Sequence, residues 1–179
     1  MPISIRLAVM EDVLALQQLI PVSVRALSTT YYDSPQIESA LTYMFGVDTQ
    51  LIRDKTYFVA EAEGQIVGCG GWSKRSLLFG GDQWKSDQDG TLLEPGKDPA
   101  RIRAFYVHPH WSRKGIGRQI ISACENAARD AGFKKLELVA TLPGEPLYSA
   151  RGYTIAEPIE MALPDGQSLS GFRMEKILD

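Results

Sequence analysis

Cysteine and histidine are scarce in this chain, with two of each in 179 residues. Cys69 and Cys124 lie too far apart for a metal or redox motif, and two histidines cannot build a zinc cluster. No metal site is expected. Cys69 falls in a strand-like run and Cys124 shares a helix face with Ile116, Ile120 and Ala127. Both read as buried thiols rather than nucleophiles. Long apolar runs are lacking as well: none approaches the ~20 residues of a membrane-spanning helix, and no basic-then-apolar leader opens the sequence. The expectation is a reducing, cytoplasmic setting with no membrane partner. An excess of positive charge is also missing. The net charge of −3 argues against general nucleic-acid binding. With no repeat and no linker composition, 179 residues suit one domain (1–179) with a substantial core.

Against this background one stretch stands out: Ser112-Arg113-Lys114-Gly115-Ile116-Gly117-Arg118. It follows a strand-like run and opens a helix-like one. Between Pro99 and Cys124 there are five Arg or Lys and no Asp or Glu, so the local charge reverses that of the chain. Glycines here let backbone come close to a ligand. The free N–H groups and positive dipole end of a helix start form an anion site. A phosphate-rich ligand follows. By itself, Gly-x-Gly before a helix is often only a tight turn. The dinucleotide fingerprint fails, because Ile120 stands where the third glycine belongs and Asp130 is still inside the helix. The P-loop fails because Gly-Lys-Ser/Thr is absent.

Periodicity places the remaining elements. Ile3, Ile5 and Leu7 alternate as a first strand. Val13, Leu16, Leu19 and Ile20 recur at helical spacing, with Pro21 expected to break or kink the helix before a second piece over 22–27. Ser34-Pro35 reads as an N-cap followed by proline, starting a helix that carries Ile37, Leu41, Met44 and Phe45. A short helical turn is placed near 49–54. Residues 56–63 and 65–73 read as a hairpin joined at Glu63-Gly64, with Gly68, Gly70 and Gly71 marking a bulge, a close approach or small residues under a helix. In 101–107 the offset of three from Ile102 to Phe105 breaks the period of two, and one extra residue near Ala104 would restore it as a β-bulge. A helix over 116–131 stops at Gly132. A strand over 134–140, a short helix over 143–150 and a closing hairpin of 153–159 with 169–177 complete the chain. The order points to an α/β fold, one mixed sheet with helices on both faces.

The run Ile102-Arg103-Ala104-Phe105-Tyr106-Val107-His108-Pro109, then Trp111 and Arg113 to Arg118, resembles the fourth strand, pyrophosphate loop and third helix of the GCN5-related N-acetyltransferases (GNAT family). Leu147-Tyr148-Ser149-Ala150-Arg151-Gly152-Tyr153 is similar to that family's aromatic segment. Ser112 departs from the usual Gln or Arg, and Thr141 stands where Asn is frequent. The resemblance implies a splayed acyl-CoA N-acyltransferase sheet with acetyl-CoA as co-substrate in the gap. Arg113, Lys114, Gly115, Ile116, Gly117 and Arg118 would hold the pyrophosphate, and the backbone of Phe105, Tyr106 and Val107 the pantetheine. Tyr148 would be the general acid for the departing thiolate, since a phenol stays protonated at neutral pH. The implied activity is acetyl transfer to a small-molecule or peptide amine by direct attack, by a monomer or a homodimer. Glu94, Asp98, Glu137, Glu160 and a water chain all stand as sources of the general base.

Residues 74–99 resist assignment to regular structure. A loop of this length is usually functional or disordered, and its leucines and aromatics favour an ordered flap between the third and fourth strands. Trp84 with Asp82, Asp87 and Asp89 would suit a cationic amine. Two other readings stay open: a non-catalytic acyl-CoA sensor or interaction module, and a nucleotide-binding α/β protein.

Overall fold

Seven strands form one mixed sheet in the computed structural model, which describes residues 2–86 and 90–179. The strands are β1 (Ser4–Leu7), β2 (Tyr57–Ala62), β3 (Gln65–Ser73), β4 (Ala100–Val107), β5 (Lys135–Thr141), β6 (Thr154–Ala162) and β7 (Ser168–Ile177). Five helices connect them: α1 (Val13–Leu27), α2 (Ser34–Tyr43), α3 (Thr49–Arg53), α4 (Ile116–Asp130) and α5 (Glu145–Ala150). The spatial order is β1-β2-β3-β4-β5-β7-β6. Every neighbouring pair is antiparallel except β4 with β5.

Each face of the sheet carries its own core. Under α4 lie Ile116, Ile120, Ile121 and Cys124 against Ile102, Leu136 and Leu138. Under α1 to α3 lie Leu16, Ile20, Met44 and Leu51 against Tyr57, Val59 and Cys69. Both cysteines are fully buried and free, as their neighbours in sequence imply. Their burial pushes both thiols up, that of Cys69 to about 12. The Glu63-Gly64 turn has both residues at positive φ, +54° and +74°, which is the two-residue hairpin geometry that matches strand twist.

Two local expectations need correction. Pro21 does not divide its helix: α1 runs unbroken from Val13 to Leu27. Proline costs the hydrogen bond to the carbonyl four residues back, but buried Leu16, Ile20 and Val24 anchor the turns on both sides of it. The cap of α2 is Asp33 rather than Ser34. Its Oδ1 accepts the Gln36 N–H at 2.9 Å while Gln36 Oε1 accepts the Asp33 N–H at 2.9 Å. This reciprocal pair satisfies two donors at once, and it leaves Pro35 in the first turn, where its missing N–H is harmless.

Candidate active site

β4 and β5 pair only through Ala100 with Leu136 and Arg101 with Glu137, then diverge. The pairing stops at Arg101, three residues before β4 bulges. Opposite β3 the register runs from Gly71 with Arg103 to Cys69 with Tyr106, so Ala104 and Phe105 share Gly70. Ala104 has φ +59°, a left-handed conformation that costs a residue with a Cβ. The Tyr57 hydroxyl holds it there by donating to the Ala104 carbonyl at 2.9 Å. Gly70 is required because a Cβ would come within 2.7 Å of the Phe105 ring, and Gly68 because one would meet Ile116 Cγ2 at 2.6 Å. These glycines therefore make room for side chains of the protein itself. Past the bulge the gap opens into a cleft of about 230 Å³. Its walls are residues 102–107 of β4, the end of β5 (Val139, Thr141), Leu147 and Tyr148 of α5, and parts of α1 and of segment 78–81.

At the far end of β4, residues 109–111 form a 3-10 turn and the chain enters α4 through Arg113 (φ +59°) and Gly115 (φ +84°). The first intrahelical bond joins the Gln119 N–H to the Gly115 carbonyl at 3.0 Å. Among the described residues no group accepts from the amides of 113–118. Arg113, Lys114 and Arg118 are exposed and form no ion pair with any described residue. Lys114 lies over the Trp111 ring, 5.0 Å from its centroid. Ser112 turns its hydroxyl to the Pro109 carbonyl at 2.9 Å, so it closes the turn. Gly117 abuts α5, and a Cβ there would fall 2.8 Å from Leu147 Cδ2.

Tyr148 is buried, its ring edge-on to Phe105 and Tyr153 at 6.0 and 5.8 Å between centroids. Its burial raises the phenol well above the usual range, and no described residue hydrogen-bonds to its hydroxyl. It lines the cleft beside Phe105. Phe105, Tyr106 and Val107 line the same space, and the Val107 N–H donates to Ser23 Oγ at 3.2 Å. None of the carboxylates considered for the base reaches the cleft. Glu94 and Asp98 lie together in the loop before β4, where Asp98 Oδ2 accepts the Glu94 N–H. Glu137 pairs with Arg101 and Arg173 at 3.7 and 3.9 Å, and Glu160 binds Ser168 and Ser170 on β7.

Segment 74–99 is tied to its neighbours by hydrogen bonds where it is described. Ser76 N–H donates to Thr91 O at 2.9 Å and Leu93 N–H to Lys74 O at 2.7 Å, closing its base as a two-stranded stem. Arg75 binds Asp54 at 2.7 Å. Further out, Gln83 Nε2 donates to the Phe45 carbonyl at 2.8 Å, which lays Leu78, Phe79, Gly80 and Gly81 along the cleft. The expected amine-binding tip is corrected. Trp84 stacks on Phe79 at 5.6 Å instead of lining the cleft. Asp82 accepts from Thr49 N and Oγ1 at 3.1 and 2.8 Å. Asp87 and Asp89 lie outside the described residues.

Periodicity did not reveal a buried ionic cluster behind this wall. Asp48, fully buried, caps α3 and pairs with both Arg103 and Lys85. Arg103 Nη2 also donates to the Gly80 carbonyl. The partners stand 55 and 37 positions apart in sequence, and only the fold brings them together. Among the described residues no cluster of His, Cys, Asp or Glu could hold a metal ion, and no helix is long and apolar enough to cross a membrane.

Solved structures share this architecture. A GCN5-related N-acetyltransferase from Rhodopseudomonas palustris superposes with a TM-score of 0.72 at 19% identity, covering 98% of this chain and 95% of that one. The PaiA N-acetyltransferase from Thermoplasma acidophilum, in complex with coenzyme A, gives 0.64 at 16% identity over 99% of each chain. YncA from Salmonella typhimurium, with its cofactor acetyl-CoA, gives 0.64 at 18% identity over 99% and 94%. At such identities the likeness is one of fold. No curated protein sequence matches the chain. The family model described as "Acetyltransferase (GNAT) family" matches residues 22–153. That span runs from the second half of α1 to the residue before β6 and includes both β4 and the start of α4; this chain belongs to the GNAT family of acetyltransferases.

Proposed function

We propose that this protein transfers an acetyl group from acetyl-CoA to a primary amine by direct attack, with both substrates bound together. The observation that carries the reading is the juxtaposition of a cationic helix start, whose amides have no acceptor among the described residues, with the opening between β4 and β5. The two are joined by the packing of Gly117 on Leu147. Acetyl-CoA brings an activated thioester that needs no covalent enzyme intermediate once an amine is positioned beside it.

The residues then divide the work. The amides of 113–118, with Arg113, Lys114 and Arg118, hold the pyrophosphate by charge-assisted hydrogen bonds at the positive end of α4. The edge of β4 from Phe105 to Val107, left without β5, accepts the pantetheine as a partial strand, with the Val107 amide shared with Ser23. Backbone N–H groups at the Ala104 bulge can meet negative charge developing on the carbonyl oxygen. Tyr148, protonated throughout the physiological range, donates to the departing sulfur. With no carboxylate among the described lining residues, water at the cleft removes the amine proton. The setting we infer is the reducing cytoplasm, in keeping with two buried free thiols.

A thermal-shift titration tests this. Acetyl-CoA at a hundred times its dissociation constant should stabilise the fold by about 2.7 kcal/mol, and Arg118→Ala should shrink the response. A rise with NAD or ATP but none with acetyl-CoA would refute the proposal. The missing carboxylate favours a second reading, a non-catalytic acyl-CoA sensor. Release of free CoA with an amine panel separates the two, since a sensor binds and releases none.

A further inference from the structure

The acceptor side of the cleft contains a cationic group that the acetyl-transfer scheme does not use. Arg103 lies one residue before the bulge and lines the cleft. Its side chain is only 3% exposed. Every side-chain hydrogen bond it makes to a described residue leaves from Nη2, to Asp48 and to the Gly80 carbonyl. Its Nε is buried with no partner among the described residues. An orphaned cationic donor in a desolvated site costs more than an ordinary missing bond, and it is the kind of group that a ligand oxygen completes.

The donor's own charge favours an anionic oxygen, because a guanidinium N–H bonds most strongly to a carboxylate. Asp48 is the one carboxylate in contact with Arg103 among the described residues, and Lys85 shares it. Lys85 has a second carboxylate in Asp82, so the cluster is balanced in charge, and what Arg103 lacks is an acceptor for its Nε–H among the described residues. Asp82 reaches Lys85 at 3.2 Å but is itself 44% exposed and does not touch Arg103. Burial lowers the Arg103 guanidinium from its ordinary range, which is the penalty an incoming anion would relieve. Around it the wall is apolar: Val24, Leu27, Phe45, Leu78 and Phe79.

We propose that Arg103 is the specificity residue for the acceptor, and that the acceptor is a small amino acid with an apolar side chain, its carboxylate on the unpartnered Arg103 Nε–H and its amine at the neighbouring bulge. The inference rests on the acetyl-transfer reading and names its substrate class. Asp48 and the Gly80 carbonyl act as positioning groups: they hold the guanidinium through Nη2 and leave its Nε–H for the ligand.

Matched acceptors test it in the wild-type protein. Phenylalanine is compared with phenylalaninamide and phenethylamine, and leucine with isoamylamine, by following CoA release. A charge-assisted hydrogen bond implies about a 10- to 100-fold higher kcat/KM for the amino acids, expressed mainly in KM because the contact is made before and during transfer. Arg103→Gln should collapse that ratio, and Arg103→Lys, which keeps charge but not the fork, should restore part of it. If Arg103→Gln does not fold, the wild-type ratio alone decides. Equal or better use of the plain amines overturns the proposal, as does equal use of the amide, which would mean that a neutral carbonyl suffices. If acetyl-CoA neither raises the melting temperature nor gives CoA with any acceptor, the acetyl-transfer reading itself fails and takes this inference with it. Binding of acetyl-CoA with carboxylate-blind transfer removes this inference alone.

Discussion

Leu147 fills the space that a side chain at Gly117 would need, with its Cδ2 2.8 Å from where that Cβ would stand. The second residue of α4 and the cleft wall on α5 are thus in direct register. Gly117→Val should push Leu147 into the cleft and lower stability by about 1–3 kcal/mol, the usual cost of overpacking. It should also weaken acetyl-CoA binding. Adding Leu147→Ala should recover part of the stability, a coupling that denaturant melts of the double-mutant cycle would measure. Strictly additive losses would mean that the two residues do not communicate.

Tyr148→Phe keeps the ring contacts to Phe105 and Tyr153 and removes only the hydroxyl. The expected result is a fall in kcat of about 10²- to 10⁴-fold, the range for general acid–base groups, with the dissociation constant for acetyl-CoA nearly unchanged. Steady-state kinetics beside a binding titration would check it. An unaltered kcat would assign Tyr148 to packing.

Gln83 ties the segment before β4 to the carbonyl of Phe45. Gln83→Ala should cost about 0.5–1.5 kcal/mol and raise the acceptor KM several-fold, while acetyl-CoA affinity stays constant. Parallel changes in both constants would show that segment 78–81 shapes the whole cleft and not its acceptor side.

Alkaline pH should destabilise the fold early. Burial raises Cys69 to about 12 and lifts Cys124, Tyr57, Tyr106 and Tyr153 as well. In each case the folded state holds the proton more tightly than the unfolded chain. The stability from these groups is therefore complete only below the unfolded thiol value of about 8.5 and is lost as pH rises towards the folded values. Each thiol should contribute a slope of about 1.4 kcal/mol per pH unit once the unfolded thiol ionises. Cys69→Ala should reduce the slope between about pH 9 and 10 without abolishing it, because Cys124 and the buried tyrosines, whose unfolded value is about 10, supply the remainder. Urea melts across that range would reveal it, and an unchanged slope would refute it.

The parts legible in the sequence were those set by neighbours along the chain. The bulge at Ala104 was visible as a slipped period between Ile102 and Phe105. The α4 stripe and the Gly-rich entry to it were visible as spacing and charge. Asp33 was missed as a cap because Ser34-Pro35 offered an equally good local pattern, and only the Gln36 bond distinguishes the two. The Asp48–Arg103–Lys85 cluster was invisible because its members come from a helix cap, a strand and a loop. Trp84 and Asp82 looked like ligand groups because their true partners, Phe79 and Thr49, could not be inferred from charge and aromaticity alone.

The parting of β4 from β5 makes the sheet two separate antiparallel panels that touch along two rungs. Their spacing is therefore set by the helices. From α2 and the segment before it, Tyr32 donates to Ser170 O at 2.7 Å, Gln36 to Ser168 O at 2.8 Å and Ser39 to Asp165 Oδ1 at 2.8 Å, while the next helical stretch packs on the first panel. The Tyr32 oxygen also accepts the Leu142 N–H at 2.9 Å. This part of the chain works as a brace across a seam: tightening or slackening it would change the width of the slot without altering any residue that lines it.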